Sequence, residues 1–310
     1  MVMPHIPVLL KETLEVLNPK KGEFIIDGTT DGGGHLEAVI EKMREGSVLA
    51  VDWDKDIIEA TKERISARFG KSYPKLQIVW ANDNYANVPE IVTREKLDKA
   101  DGLLLDLGFS TEHLESKKGF SFKAVEKGGD EPLDMRYDRY GSDGMERATA
   151  AEVVNSLREE ELADIIFKYG EERFSRQVAK GIVDARKKGK IITVAKLVEV
   201  IRSAVPKFFR KGEMDVVART FQALRIYVNQ ELENVESILR SLTQIMNKGG
   251  RVAIISFHSL EDRLVKNYFK EMESKGIAKI LTKKPIVPSE REVSDNPKSR
   301  SSKLRAIQIN

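Results

Sequence analysis

Short apolar runs alternate with amphipathic stretches through the first third of the chain. The apolar runs cover residues 24–26, 48–51, 76–79 and 103–105, and the first three precede helical spacings over residues 35–44, 55–69 and 86–96. Short, continuous apolar runs are typical of strands that are buried on both faces. Strands that alternate with helices form right-handed βαβ units. The pattern therefore predicts an α/β fold with a parallel sheet.

The alternation stops after residue 110. Residues 111–147 are rich in Gly, Asp, Lys and Arg and predict a long loop. From residue 149 the apolar spacing is purely helical, with one stripe formed by Leu162, Ile165, Ile166 and Tyr169. We therefore predict that an all-helical domain, residues 111–215, is inserted after the fourth strand of an α/β domain formed by residues 1–110 and 216–310.

The last third of the chain returns to the α/β pattern. A long helix is predicted over residues 220–247, ended by Gly249 and Gly250. A buried strand over residues 252–256 and a helix over residues 260–272 follow. Two further apolar runs, residues 277–282 and 304–309, predict a closing antiparallel hairpin.

An acidic residue closes three of the apolar runs. Asp27 ends the first run and opens a glycine-rich loop, Asp52 ends the second, and Asp106 ends the fourth. Open parallel sheets bind ligands at the carboxyl ends of their strands. Three acids at this edge suit a ligand that carries hydroxyls and amines, and they suit a pyrophosphate poorly. The sequence therefore predicts a nucleotide-like pocket there.

Each of these features also has a purely structural interpretation. The glycine cluster lets a ligand approach the backbone closely, but it is also compatible with a bare turn. Asp52 stands at the second-strand position whose carboxylate binds a ribose diol, or it caps the next helix. Tyr85 stacks on an adenine ring or lies in a plain turn. Asp106 accepts hydrogen bonds from a substrate amine or lies in a buried capping turn.

Composition excludes several classes of protein. The 310 residues are 41% hydrophobic, which is enough for a folded core, and the absence of cysteine excludes disulfides and thiolate metal sites. None of the four histidines forms a metal-ligand pair, so we predict no metal. No apolar run approaches the roughly 18 residues of a membrane helix, and the N-terminus lacks a secretion signal, which predicts a cytoplasmic protein.

Basic residues concentrate near the C-terminus, although the net charge is only +3. Between residues 279 and 305 there are eight basic and three acidic side chains. This stretch is either a solvated tail or an edge that contacts phosphate groups.

Several motifs, spread over nearly the whole chain, resemble one known family, the bacterial 16S ribosomal RNA cytosine-N4 methyltransferases. Several of them lie in the predicted inserted domain, where a generic methyltransferase has no counterpart, so the resemblance is specific. The matching segments are residues 5–8 (HIPV), 27–29 and 33–35, 101–108, 119–122 (GFSF), 132–136 (PLDMR), 169–174 (YGEERF), 220–226 (TFQALRI), 256–263 (SFHSLEDR) and 296–301 (NPKSRS).

The resemblance implies a Rossmann-like class I methyltransferase sheet that binds S-adenosylmethionine. It implies that the donor's methionine part contacts Gly33, Gly34 and His35, its ribose Asp52, and its adenine Tyr85. Asp106, also the expected catalytic residue, and His113 complete the implied cofactor site. His113 stands where the family usually has Gln, and residues 213–215 are acidic where the family is more often basic.

The implied reaction is methylation of the N4 amine of one cytidine in the decoding centre of 16S ribosomal RNA. The implied partner is the small ribosomal subunit, with the inserted domain recognising RNA; the oligomeric state stays open, a homodimer included. Three alternatives remain: a methyltransferase that acts on another RNA amine, a non-catalytic RNA-binding assembly protein, and a nicotinamide-dependent dehydrogenase. The dehydrogenase needs a G-x-G-x-x-G spacing that this chain lacks.

Overall fold

The chain forms two compact units in a computed structural model, which describes residues 7–108, 117–122, 125, 128–140, 145–206 and 212–310. One unit comprises Met1–Ser110 with Leu232–Asn310, and the other comprises Thr111–Glu231. The predicted first boundary was also after residue 110. The second boundary falls after Glu231 rather than after residue 215, because the helix that precedes it packs into the helical unit.

The first unit contains a seven-stranded sheet. Its strands are β1 (Phe24–Asp27), β2 (Gly46–Asp52), β3 (Leu76–Asn82), β4 (Ala100–Asp106), β5 (Met246–Ser256), β6 (Ala278–Ile280) and β7 (Lys303–Ile309). Their spatial order is β3-β2-β1-β4-β5-β7-β6, and β1 to β5 are parallel. The strand β7 runs antiparallel to both β5 and β6. The predicted α/β sheet and the closing antiparallel pair are therefore confirmed.

Twelve helices are described. They are α1 (Leu10–Leu17), α2 (Gly34–Met43), α3 (Lys55–Phe69), α4 (Val88–Arg94), α5 (Ala150–Ser156), α6 (Glu159–Gly170), α7 (Ser175–Arg186), α8 (Val194–Ala204), α9 (Glu213–Asn229), α10 (Glu231–Ile245), α11 (Ser259–Ser274) and α12 (Glu290–Asp295). Two 3₁₀ turns, Tyr85–Asn87 and Pro297–Ser301, complete the described helical elements. Among the described residues, no helix combines the length and the apolar character needed to cross a bilayer.

Successive residues of a strand point to opposite sides of the sheet. The apolar runs therefore place apolar side chains on both faces, and helices cover both faces. Ile26 and Leu49 pack on one face with apolar residues of α4, α10 and α11. Ile25 and Val48 pack on the other face with residues of α2 and α3. Strands with two buried faces carry continuous apolar runs, which is the pattern that identified them in the sequence.

The helical unit has its own apolar core. Residues of α5 to α9 share one cluster, which includes Leu162, Ile166, Val178, Ile182, Leu197 and Ile201. The described parts of the stretch before α5 form turns and isolated bridges, such as Pro132 with Thr193. The core therefore contains Leu162 and Ile166 of the helical stripe seen in the sequence, and the other two members, Ile165 and Tyr169, are also buried.

The single helix predicted over residues 220–247 is wrong. Two helices, α9 and α10, occupy this stretch, and Gln230 between them adopts a left-handed conformation with φ 52°. The side-chain amide of Asn229 donates to the carbonyl oxygens of Met135 (2.8 Å) and Arg225 (2.9 Å) and fixes the end of α9. The apolar spacing continues through this break, so the sequence pattern carries no sign of it.

The start of β5 also differs from the prediction. The strand begins at Met246, and Gly249 and Gly250 lie within it instead of ending a helix. The register against β4 shifts between Ala100 and Gly102, and Gly249 has φ 82°. The glycines therefore accommodate an irregularity at the strand's start. The pattern also missed α1.

An arginine of β5 connects β4, the segment before β1 and the end of α1 at the amino edge of the sheet. The Arg251 guanidinium pairs with Glu23 (2.6 Å) and donates to the carbonyl oxygens of Leu17 (2.7 Å), Asp101 (2.7 Å) and Asn18 (3.1 Å). Its side chain is 12% exposed, so these groups are largely withdrawn from water.

We expect Arg251→Ala to lower the free energy of unfolding by about 3–5 kcal/mol, because it leaves the Glu23 carboxylate and several carbonyl oxygens without a partner. Urea unfolding followed by circular dichroism measures the change. The control is Arg240→Ala, which removes a side chain that is 70% exposed and paired with Glu236, and which should cost less than about 1 kcal/mol. Equal effects of the two variants would contradict the prediction.

Candidate active site

Three acids end three adjacent strands at the carboxyl edge of the sheet. Asp52 ends β2, Asp27 ends β1 and Asp106 ends β4, and all three residues are buried, with exposures of 6%, 2% and 5%. The chain order reverses between β1 and β4, so the edge includes the switch point of the parallel sheet. The parallel pairing therefore brings together the acids that the sequence had placed at strand ends.

The loop after Asp27 is held close to β4. The Gly28 N–H donates to the carbonyl oxygen of Leu104 (2.9 Å), and the Thr29 hydroxyl accepts from the Asp106 N–H (2.6 Å). A Cβ atom at position 28 would lie 2.5 Å from the end of the Leu105 side chain and 3.3 Å from the Tyr85 Cβ, so any residue larger than glycine requires these neighbours to shift. The turn therefore fixes the distance between the ends of β1 and β4.

The same loop leads into the N-terminus of α2. Gly33 precedes this helix with φ 72°, a conformation that favours glycine, and as the N-cap residue it has no side chain with which to cap the helix. The first N–H groups of α2 are therefore available to an anionic group of a ligand. Gly34 and His35 are the first two residues of α2.

Asp52 holds two backbone segments of the site. Its Oδ2 accepts from the Asp31 N–H (2.7 Å), and its Oδ1 accepts from the Asp54 N–H (2.9 Å). The helix cap that the sequence left as an alternative for Asp52 is made by Asp54, whose side chain accepts from the N–H groups of Asp56 and Ile57. Asp52 thus orders the loop after β1 and the turn after β2.

Tyr85 lies beyond the end of β3 and is buried, with 7% exposure. Its ring contacts that of Trp53, with centroids 5.9 Å apart and planes at 42°. The preceding Asn84 caps this turn by accepting from the Ala86 N–H (2.8 Å) and donates to the Asn234 side chain (2.9 Å). Two aromatic rings therefore stand next to Asp52, where β2 ends.

His35 lies against Asp106. The His35 Nε2 lies 2.9 Å from the Val8 carbonyl oxygen, so this nitrogen is the donor, and its Nδ1 lies 3.7 Å from Asp106 Oδ2. That second separation is too long for a hydrogen bond. The other carboxylate oxygen, Asp106 Oδ1, is buried without a hydrogen-bond partner in the described part of the chain.

Burial and mutual repulsion alter the acidity of this edge. Burial raises the pKa of Asp27 well above its usual value; the Thr29 N–H opposes this, and the charges of Asp106 and Asp52 add to it. Burial likewise raises the pKa of Asp106 to about 7, with the Gly108 N–H opposing the rise and the charge of Glu261 adding to it. Perturbed carboxylates of this kind are typical of functional sites.

The structure therefore brings together six of the seven predicted site residues, namely Gly33, Gly34, His35, Asp52, Tyr85 and Asp106. His113 lies outside the described residues. Sequence reasoning gave no role to Glu261, which is buried and accepts from the N–H groups of Phe257 (2.8 Å) and His258 (3.3 Å) after β5. The sequence feature that could have identified Glu261 is its position three residues after His258, which is the spacing of a capping box.

Comparison with known proteins identifies the family. The model of the MraW methylase family matches residues 2–310. Ribosomal RNA small subunit methyltransferase H of Rickettsia conorii is 40% identical over 324 residues, covering 99% of this chain and 98% of that protein. The protein of the same name from Clostridium botulinum strain Kyoto is 41% identical over 323 residues, covering 98% of both chains.

Among solved structures, an rRNA methylase from Streptococcus thermophilus covers 97% of this chain and 93% of its own, with 9% identity and a TM-score of 0.42. The full-length match to the family model and the two relatives at about 40% identity decide the assignment. The chain belongs to the MraW methylase family and is a methyltransferase.

Proposed function

We propose that this chain transfers a methyl group from S-adenosylmethionine to the N4 amine of a cytidine in the decoding centre of 16S ribosomal RNA. The observation that carries the proposal is the carboxylate of Asp106. It is buried at the switch point of the sheet, with one oxygen that has no hydrogen-bond partner in the described residues. The RNA substrate rests on the relatives' name, and the N4 position rests on the family resemblance.

The polar groups of the site fit S-adenosylmethionine. Asp27 Oδ2, Thr30 Oγ1 and Asp106 Oδ1 are buried without hydrogen-bond partners among the described residues, and such atoms are satisfied by a bound polar ligand. The ammonium group of the donor suits the carboxylates, and its own carboxylate suits the N-terminus of α2 at Gly33 and Gly34. His35 lines the methionine side of the site.

The other end of the donor matches the residues after β2 and β3. Asp52 binds the ribose diol in this proposal, since its carboxylate ends the second strand. The neighbouring ring of Tyr85 provides an apolar face for the adenine. His113 keeps the cofactor-binding role that the resemblance implies for it.

Asp106 orients the target amine and accepts its charge in the proposed mechanism. The lone pair of the cytosine amine is delocalised into the ring, so the amine is a weak nucleophile. S-adenosylmethionine supplies an electrophilic methyl group on a sulfonium. The ionised Asp106 carboxylate accepts a hydrogen bond from the amine and stabilises the positive charge that develops on N4. Its buried position makes this stabilisation larger than in water.

The C-terminal segment provides a basic surface for RNA. Of its eight basic residues, Lys303 and Arg305 are bound to Asp262, at 3.6 and 2.6 Å, so they stabilise the fold. The other six side chains are exposed: Lys279, Lys283, Lys284, Arg291, Lys298 and Arg300. Lys303 and Arg305 of β7 are therefore not part of a solvated tail. Only for the six exposed side chains do a solvated tail and an RNA-contacting surface remain as alternatives.

The register of β7 supports the RNA assignment. Ser256 at the carboxyl end of β5 pairs with Lys303 at the start of β7, and the neighbouring Ile255 pairs with Asp106. Lys298 and Arg300 lie in the 3₁₀ turn directly before β7 and therefore flank the carboxyl edge that carries the three acids. An RNA that reaches Asp106 passes this edge. The helical unit adds further RNA recognition in this proposal, and a ribosomal substrate implies a cytoplasmic enzyme.

The proposed function is tested by mass mapping of 16S ribosomal RNA from a bacterial strain that lacks its own copy of this gene. We expect one cytidine of the decoding centre to gain the mass of a methyl group when this chain is expressed, and to stay unmodified with an Asp106→Asn variant. A methyl group on another RNA, or none, would overturn the assigned substrate.

We expect Asp106→Asn to lower the single-turnover rate at saturating donor by about 10²–10³, because it removes a preorganised charge and keeps the size of the side chain. Rapid-quench measurement of RNA methylation provides the rate. Asp98→Asn, which neutralises an exposed acid before β4, is the control and should leave the rate unchanged. A wild-type single-turnover rate with weakened donor binding would restrict Asp106 to a binding role.

We expect the double variant Lys298→Gln with Arg300→Gln to weaken RNA binding and to reduce the slope of log affinity against log salt by about 1–2. The reason is that a protein with fewer phosphate contacts releases fewer counterions from the RNA when it binds. The matched control, Lys20→Gln with Lys248→Gln, removes two exposed charges at the amino edge of the sheet and should leave the slope unchanged. Filter binding at several salt concentrations measures both. Equal slopes in the two double variants would contradict the prediction and indicate that the C-terminal basic segment is a solvated tail.

A further inference from the structure

Two of the three acids at the carboxyl edge are left incompletely hydrogen-bonded. Asp27 accepts one bond, from the Thr29 N–H (3.2 Å), and its Oδ2 has no partner in the described residues; Asp106 Oδ1 is in the same state. Asp52 differs, since each of its oxygens accepts a backbone N–H. The unmet hydrogen-bonding capacity of the edge is therefore concentrated on Asp27 and Asp106.

These two acids are close neighbours. Asp27 pairs with Leu104, two residues before Asp106 on the adjacent strand. Strands about 4.8 Å apart with about 3.3 Å per residue give a Cα separation of roughly 8 Å. Within that distance in a buried site, the two ionised carboxylates repel each other strongly.

The charged groups that face the pair do not neutralise it. Asp52 lies on the β2 side of Asp27, and Glu261 of α11 acts on Asp106 from the β5 side; both are acidic. His35 of α2 is the basic group beside Asp106, at 3.7 Å. Among the residues that the structure describes, no lysine or arginine forms an ion pair with either acid. The described part of the site thus provides no fixed cation to balance its acids.

We propose that Asp27 and Asp106 form a proton-linked charge selector, in which the two side chains hold protons in the empty site and release them to solvent when a cationic methyl donor binds. This inference rests on the proposed use of S-adenosylmethionine. The donor carries an ammonium and a sulfonium, whereas the product S-adenosylhomocysteine carries the ammonium and an uncharged thioether. The selector therefore distinguishes donor from product by one positive charge.

The sign of the pH dependence follows from this balance. Burial raises the pKa of Asp106 to about 7 in the empty site, and a bound cation favours the carboxylate and lowers that pKa. Donor affinity therefore rises as the pH increases towards about 7, and the Asp106 part levels off above it. Product affinity rises less, because the product lacks the sulfonium. The raised pKa of Asp27 acts in the same direction.

The test is isothermal titration calorimetry of the full chain with each ligand at pH about 6.5, in two buffers that differ in ionisation enthalpy. The dependence of the observed enthalpy on the buffer gives the number of protons released on binding. We expect the donor to release more protons than the product. In Asp106→Asn, this difference should shrink and the ratio of donor to product affinity should fall about tenfold, which corresponds to the loss of one charge interaction of about 1.4 kcal/mol. Asp27→Asn also keeps the size of the side chain, and we expect it to reduce the difference in proton release in the same way.

Asp52→Asn is the matched control. Asp52 is buried at the same edge, but backbone N–H groups already occupy both of its oxygens. We expect this variant to weaken both ligands, about tenfold for the lost charge-assisted hydrogen bond, while the donor still releases more protons than the product.

Two outcomes separate this inference from the proposed function. Equal proton release by donor and product in the wild-type chain overturns the charge selector and leaves the methyl donor assigned. No measurable binding of S-adenosylmethionine to the folded chain overturns the donor assignment together with the selector.

Discussion

The parallel pairing of β1 with both β2 and β4 is the constraint on which the site depends. It places Asp27 between two strands that also end in acids, at an edge where the sheet is buried on both faces. Water cannot screen these carboxylates well, so each one needs hydrogen bonds, a proton or a cation. The backbone provides the hydrogen bonds for Asp52, and the other two acids remain dependent on protons or on a ligand.

Buried charged groups are hydrogen-bonded differently at the two edges of the sheet. At the amino edge, Arg251 pairs with Glu23 and with backbone carbonyl oxygens, so a buried charge is fully engaged within the fold. At the carboxyl edge, Asp27 and Asp106 keep oxygens without partners in the described chain. A buried group without a partner costs free energy. Among the described acids at the ends of the strands, those with such an oxygen lie at the carboxyl edge, which indicates that this edge is shaped for a ligand, whereas the other stabilises the sheet.

Local sequence information was sufficient for most of the strands and for placing the candidate site residues at their ends. Strands such as β2 and β4 have two apolar faces and end in an acid, so both the element and its candidate site residue can be read from a few adjacent positions. The break at Gln230 was missed because the apolar spacing of α9 and α10 continues through it, and because the bond from Asn229 to Met135 joins residues that are distant in sequence.

Long-range pairing also decided the roles of individual charges. Lys303 and Arg305 look like the other basic residues of the C-terminal segment, and the sequence does not separate them. In the fold both meet Asp262, and Arg305 is 8% exposed. Likewise, no sequence pattern shows that Asp52 has both oxygens occupied while Asp27 does not, because the N–H groups come from loops that only the folded sheet brings together.

The C-terminal strands complete the charge arrangement of the site. Because β7 runs antiparallel to β5, it begins at the carboxyl edge, and the basic turn before it flanks the buried acids. In the proposed function, the acidic groups at the strand ends attract a cationic methyl donor, and the basic groups beside them attract a polyanionic RNA. The two substrates of the proposed reaction carry opposite charges, so this separation directs each one to a different part of the same edge. An exchange of the two charge patterns would repel both substrates, so the antiparallel return of β7 has a role in the proposed function as well as in closing the sheet.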